Sequence, residues 1–233
     1  MNPEASELQR LQRNLDQVKD RIQTACTASH RPGDSVALLA VSKTFPAHDV
    51  ALMAHAGQTD FGENYVQEGV EKIASLKQQG LSGLIWHFIG PLQSNKTRLV
   101  AENFDWVHTV DREKIAQRLA EQRPAGLAPL NICLQVKLST EESKSGAAPQ
   151  AVESLAALVA ALPQLKLRGL MTLPEPGKEA EEFKQLKALF DKIKPSHPDM
   201  DTLSMGMSAD LETAIAHGST CVRIGSALFG ART

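Results

Sequence analysis

Lys43 closes an almost unbroken apolar run, SVALLAVSKT, at residues 35–44. Val36 to Val41 read as a strand buried on both faces, the pattern of a parallel sheet. A lysine at the end of such a strand, rimmed by apolar wall, loses hydration. Its pKa falls, and the neutral amine can attack a carbonyl to form a Schiff base. Standing alone, the same lysine can equally be a solvated charge.

The other reactive positions lie near the opposite end of the chain. LSMGMSADLETAI leads from a strand through Gly206 and Ser208 toward a helix beginning near Ala209, and CVRIGSALFG carries Gly225 and Ser226 at a strand end. Small residues let backbone N–H groups approach phosphate oxygens, Ser208 can cap the helix, and a helix N-terminus adds a positive field. Read singly, these are also ordinary turn and cap residues. A lysine for a carbonyl and a cup for a phosphate together describe a phosphorylated aldehyde.

Both sets must be positioned by an alternation of short apolar strands and amphipathic helices. Strands are expected at 35–43, 59–63, 84–90, 105–110, 130–139, 166–173, 202–207 and 220–226. The clearest helices are AVESLAALVAAL and EEFKQLKALFDKI, and Gly57, Gly80 and Gly218 stand where helices would end. Such alternation implies parallel strands with right-handed crossovers, and eight strands can close into a (β/α)8 TIM barrel of about 250 residues. Strand ends and their following loops then share one mouth, and the loops after strands seven and eight make its usual phosphate site. An open doubly wound sheet is the rival, weakened because no GxGxxG follows the first strand. Ahead of the barrel, residues 4–29 place Leu8, Leu11, Leu15, Val18 and Ile22 on one stripe. This N-terminal helix, within residues 1–30 of a single 1–233 domain, is expected to pack on the barrel. No helix is expected after strand eight.

Composition narrows the function. With 25 basic and 27 acidic side chains, the chain has no basic field for nucleic acid or a membrane surface. No run is apolar enough to span a bilayer, and the polar N-terminus lacks a secretory signal. The 3 cysteines, Cys26, Cys133 and Cys221, form no CxxC pair and point to buried thiols in a cytoplasmic protein. The 7 histidines show no ligand spacing, so no metal is expected.

Pyridoxal 5′-phosphate is an aldehyde of the kind described. LLAVSKT, FGENYVQE, WHFIGPLQSNK, SKSG, RGLM, LSMGMS and VRIGSALFGAR, in this order, resemble the pyridoxal phosphate homeostasis protein family, over essentially the whole chain. The resemblance implies an alanine-racemase-type barrel with no C-terminal β-domain. It also implies that Lys43 holds the cofactor, that Ser208, Gly225 and Ser226 meet its phosphate beside Gly206, and that Arg223 lies near the pyridine nitrogen. Asn64, His87, Met171 and Ser204 follow as pocket lining, though His87 can instead be a core histidine. Lys137 departs from the family, which more often has asparagine there. It faces either the pocket, where it would favour a neutral Lys43, or solvent. Lys144 reads as a solvated loop charge or a second aldehyde acceptor.

The family's name implies storage, delivery or scavenging of the aldehyde, with apo-enzymes as recipients; without the partner-supplied tyrosine of the racemases, a monomer is the expected form. The alternative is a fold-type III amino-acid racemase, which needs two bases; the only tyrosine here is Tyr65. Arg223 stays protonated and will not hand its proton to the ring, which leaves a poorer electron sink. A cofactor-free Schiff-base aldolase is more distant.

Overall fold

The computed structural model describes residues 3–139, 141 and 144–230. Among the described residues there are eight strands: β1 (Ala37–Val41), β2 (Asp60–Glu63), β3 (Ile85–Phe88), β4 (Trp106–Val110), β5 (Leu130–Gln135), β6 (Leu165–Met171), β7 (Thr202–Ser204) and β8 (Cys221–Ile224). All pair in parallel, in chain order, and β8 returns beside β1 to close a barrel. The strand order never reverses, which removes the doubly wound alternative.

Most strands stop short of their expected C-terminal ends. β1 ends at Val41 and not Lys43, β5 at Gln135 and not 139, and β7 at Ser204 and not 207. At these ends the backbone leaves the ladder for local partners. Lys137 N–H, for example, donates to Ala147 O at 2.9 Å, within the loop that follows β5. The residues released in this way form the mouth.

The outer layer consists of α1 (Pro3–Ala28), α2 (Ala47–His55), α3 (Val66–Gln78), α4 (Thr97–Asn103), α5 (Glu113–Gln122), α6 (Val152–Ala160), α7 (Glu179–Ile193), α8 (Leu211–Ala216) and α9 (Ser226–Phe229). Gly57, Gly80 and Gly218 follow α2, α3 and α8 with φ of 97°, 85° and 95°, the left-handed conformation that ends a helix at little cost for glycine. One expectation needs correction, because β8 is followed by the single helical turn α9. Its last carbonyls would be orphaned, but Asn14 Nδ2 donates to Leu228 O at 2.7 Å and Arg10 Nη2 to Phe229 O at 3.2 Å. Both donors come from α1, whose Leu11, Leu15, Val18 and Ile22 are buried. α1 packs against α2, α8 and α9. Among the described residues no helix is long and apolar enough to cross a membrane.

Candidate functional site

Lys43 sits two residues past β1, half-buried, in a turn built around its neighbours. Ser42 N–H still donates to Gly62 O of β2 at 3.0 Å, and Phe45 N–H closes back on Ser42 O at 3.1 Å. Between them Thr44 has φ +69°, a conformation that a β-branched residue adopts only under constraint. The constraint is a buried charge cluster. Lys72 Nζ of α3 donates to Ser42 O at 2.7 Å, Glu63 Oε1 at 2.7 Å and Glu68 Oε1 at 2.6 Å. Ser42 Oγ donates to Glu63 Oε1, and Thr44 N–H donates to Glu68 Oε1. Burial raises the Glu63 carboxyl, and Lys72 and Ser42 oppose that rise. The cluster therefore grips the residues on both sides of Lys43.

Beside this turn lie the loops after β7 and β8. Gly206 has φ +98°, and a Cβ there would stand 2.5 Å from Ala214 Cβ, so only glycine fits. Gly206 O accepts from Arg223 N–H at 2.9 Å, which ties the two loops together. A Cβ on Gly225 would lie 3.2 Å from Val41 O, so this backbone runs directly against the end of β1. Ser226 is the first residue of α9 and is exposed. α8 begins at Leu211 with Asp210 in the N-cap position, so Ser208 is not its cap, contrary to expectation; the loop takes one more turn, closed by Met207 N–H on Asp210 Oδ1.

Arg223 meets Ser204 inside the barrel, and His108 links Ser204 to His87. Arg223 Nη1 donates to Ser204 Oγ at 2.8 Å and Nη2 to Thr172 O at 3.0 Å. Its guanidinium is buried and, among the described residues, has no carboxylate within ion-pair reach. Ser204 Oγ lies 2.8 Å from Nδ1 of His108, whose Nε2 lies 3.0 Å from His87 Nδ1. His87 Nε2 reaches Asp60 Oδ1 at 3.1 Å. Because β4 and β7 are not neighbours in the barrel, the His108–Ser204 bond crosses its interior. Met171 is buried, in register with Ser204. Asn64 follows β2, and its Oδ1 is buried without a hydrogen-bond partner.

Other candidates are placed differently. Lys144 is not a solvated charge, since its Nζ donates to Pro174 O at 2.6 Å and links the loops after β5 and β6. Lys137 is half-buried just past β5. Tyr65 is 55% exposed. Cys26, Cys133 and Cys221 are buried free thiols; burial pushes Cys221 up to about 11 and Cys133 well above its ordinary value, so neither is a thiolate at neutral pH. Among the described residues no cluster could hold a metal. Glu63, Glu68, Lys72 and His108 were not anticipated. Their signals were a glutamate inside a strand, a Glu–Lys pair four apart, and a second histidine shortly after a tryptophan.

Fold and mouth together define a class: a closed parallel barrel with a lysine turn after its first strand and a small-residue cup after its last two. The chain belongs to the alanine racemase N-terminal domain family, whose model matches residues 7–233, and within it to the pyridoxal phosphate homeostasis proteins. It is 56% identical over 223 residues to the pyridoxal phosphate homeostasis protein of Escherichia coli K12, covering 94% of this chain and 95% of that one. Among solved structures, PipY of Synechococcus elongatus with PLP bound is 38% identical with TM-score 0.77, covering 89% of this chain and 98% of that one. The alanine racemase of Corynebacterium glutamicum shares the fold at TM-score 0.69 and 16% identity, over 96% of this chain and 62% of that one.

Proposed function

We propose that the chain binds pyridoxal 5′-phosphate reversibly and acts in vitamin B6 homeostasis as a cytoplasmic, monomeric holder of the aldehyde, without a dedicated turnover. One observation supports this reading: the β1–β8 pairing brings the Gly225 backbone against Val41 O, at the end of the strand that leads into Lys43. The mouth fits the group in other ways. Asn64 Oδ1 is a buried acceptor in want of a donor, and Arg223 is a buried donor with no carboxylate in ion-pair reach among the described residues.

In this reading the Lys43 amine bonds the aldehyde carbon and one water leaves. Backbone N–H groups around Gly206, Ser208, Gly225 and Ser226 hold the phosphate. Arg223 donates to the ring nitrogen, with Ser204 and Thr172 O fixing its plane. Asn64, Met171 and His87 line the cavity. When bound, the cofactor supplies an electron-withdrawing ring, but Arg223 does not give up its proton, which limits that withdrawal. Apo-enzymes would take the cofactor from the mouth.

The full chain mixed with pyridoxal phosphate should turn yellow, and borohydride should fix one adduct that Lys43→Ala abolishes. A colourless protein with no adduct would overturn the binding reading. Exchange of the α-proton of a free amino acid into deuterium oxide would overturn the absence of turnover and favour a racemase.

A further inference from the structure

Three polar side chains of α1 end on main-chain carbonyls of the two loops that form the small-residue cup. Arg21 Nη2 donates to Ser208 O at 3.1 Å, Asn14 Nδ2 to Leu228 O at 2.7 Å and Arg10 Nη2 to Phe229 O at 3.2 Å. Each donor stands directly before a buried residue of the α1 stripe, Leu11, Leu15 or Ile22. Packing of that stripe therefore sets where the three donors reach. Asn14 and Arg10 finish the helical turn α9. Arg21 is different, because Ser208 lies between β7 and α8 and ends no helix.

Glu212 of α8 fixes the plane of the Arg21 guanidinium, with Nε on Oε1 at 2.9 Å and Nη2 on Oε2 at 3.0 Å. The second Nη2 hydrogen goes to Ser208 O. A peptide unit is planar and trans, so a carbonyl and the N–H that follows it point in opposite directions. With Ser208 O drawn toward α1, the Ala209 N–H is aimed away from α1, and it has no acceptor among the described residues. The start of the loop is held separately, by Arg223 N–H on Gly206 O at 2.9 Å, and its end closes on itself through Met207 N–H and Asp210. Among the described residues, Arg21 supplies the hydrogen bond that ties the middle of this loop to another element. We propose that Arg21 is a positioning residue for the phosphate cup, and that the preference of the chain for an aldehyde bearing a phosphate monoester depends on its bond to Ser208 O. The inference rests on the loops after β7 and β8 meeting the phosphate, as proposed above. Arg21 touches no ligand in this scheme and acts through the loop backbone. Its ion pair with Glu212 is largely exposed, so its loss leaves the barrel folded.

Pyridoxal phosphate and pyridoxal, which differ by the phosphate, are titrated separately into the full wild-type chain, Arg21→Met and Arg13→Met. Binding is read by the absorbance of the Schiff base, with thermal unfolding followed alongside. Arg13 is an exposed α1 arginine with no hydrogen bond or ion pair among the described residues, so its variant removes the same charge without releasing the loop. Wild type should prefer pyridoxal phosphate. Arg21→Met should lower the ratio of the two affinities about two- to twelvefold, the range for one net hydrogen bond, and leave the affinity for pyridoxal as it is in wild type. Arg13→Met should keep the wild-type ratio. Ring closure of free pyridoxal to its hemiacetal is common to all three proteins and cancels in the comparison. An unchanged ratio in Arg21→Met, an equal loss for both aldehydes, or the same fall in Arg13→Met would overturn the role of Arg21 and leave the cofactor reading standing. A wild type that takes up both aldehydes alike would remove the phosphate cup and this inference together. A wild type that stays colourless with both would sink the cofactor reading as well.

Discussion

Lys72 is a buried ammonium whose hydrogens meet three acceptors: Ser42 O, Glu63 Oε1 and Glu68 Oε1. Taking such a cation from water costs several kcal/mol and is tolerable only when the geometry satisfies it. The return here is positional. Thr44 is held in a left-handed conformation, a strain of about 1–3 kcal/mol, and its amide is bound by Glu68 on the same cluster. Lys72→Met leaves two carboxylates uncompensated and should cost about 3–5 kcal/mol in urea unfolding at neutral pH. Glu63 has a folded pKa above its unfolded one, so its contribution is full in acid and lost as pH rises through the folded value. The deficit of the variant should therefore shrink as pH falls; a deficit independent of pH would contradict the cluster. Lys43 stood out in its motif as a candidate. Lys72 did not, because Glu68 and Lys72 four residues apart read as a surface helix pair until β2 brings Glu63 beneath them.

At the scale of elements, α1 does the work of a missing full-length eighth helix. α8 spans six residues and α9 four, too little to cover β8 and β1. The α1 stripe supplies the cover, and its polar side chains finish α9. The Arg21–Glu212 pair on the same interface is largely exposed and contributes little. Leu15, fully buried, is the better probe: Leu15→Ala should lose about 2–5 kcal/mol by thermal or denaturant unfolding, and a loss under about 1 kcal/mol would mean that α1 is not part of the cooperative core. Apolar periodicity showed α1, α6 and α7 well. Strand ends were read too long, since an apolar side chain past the ladder looks the same in sequence as one within it.

For the whole molecule, the two ends of the barrel are built differently. The N-terminal end carries a polar belt in which Arg168 bonds Asp201 and Asn131 and lies 4.6 Å over the Trp106 ring. The C-terminal end carries the lysine turn and the small-residue loops, the usual division between stability and binding in these barrels. Burial raises the Asp201 carboxyl, but Arg168 and Thr202 outweigh it and hold it below its ordinary value, as His87 and Thr59 do for Asp60. A lowered folded pKa gives stability that is present above the unfolded value, about 3.9, and lost as pH falls through the folded one. Urea unfolding from pH 6 down to pH 3 should therefore show falling stability below about pH 4, with a shallower fall in Asp201→Asn. An equal slope in the two proteins would remove Asp201 from that account.

Local pattern alone determined the strand–helix alternation, the eight-strand count, the helix-ending glycines and a lysine close behind the first strand. Those features depend on residues within a few positions of one another, where periodicity and backbone sterics act directly. Only the tertiary structure decided that Gly225 lies against Val41, that Glu63 and Lys72 grip the Lys43 turn, and that His87 belongs to a chain running from Asp60 to Arg223. Each of these joins residues on different strands or helices. Their meeting depends on barrel closure and register, which no short stretch of sequence encodes.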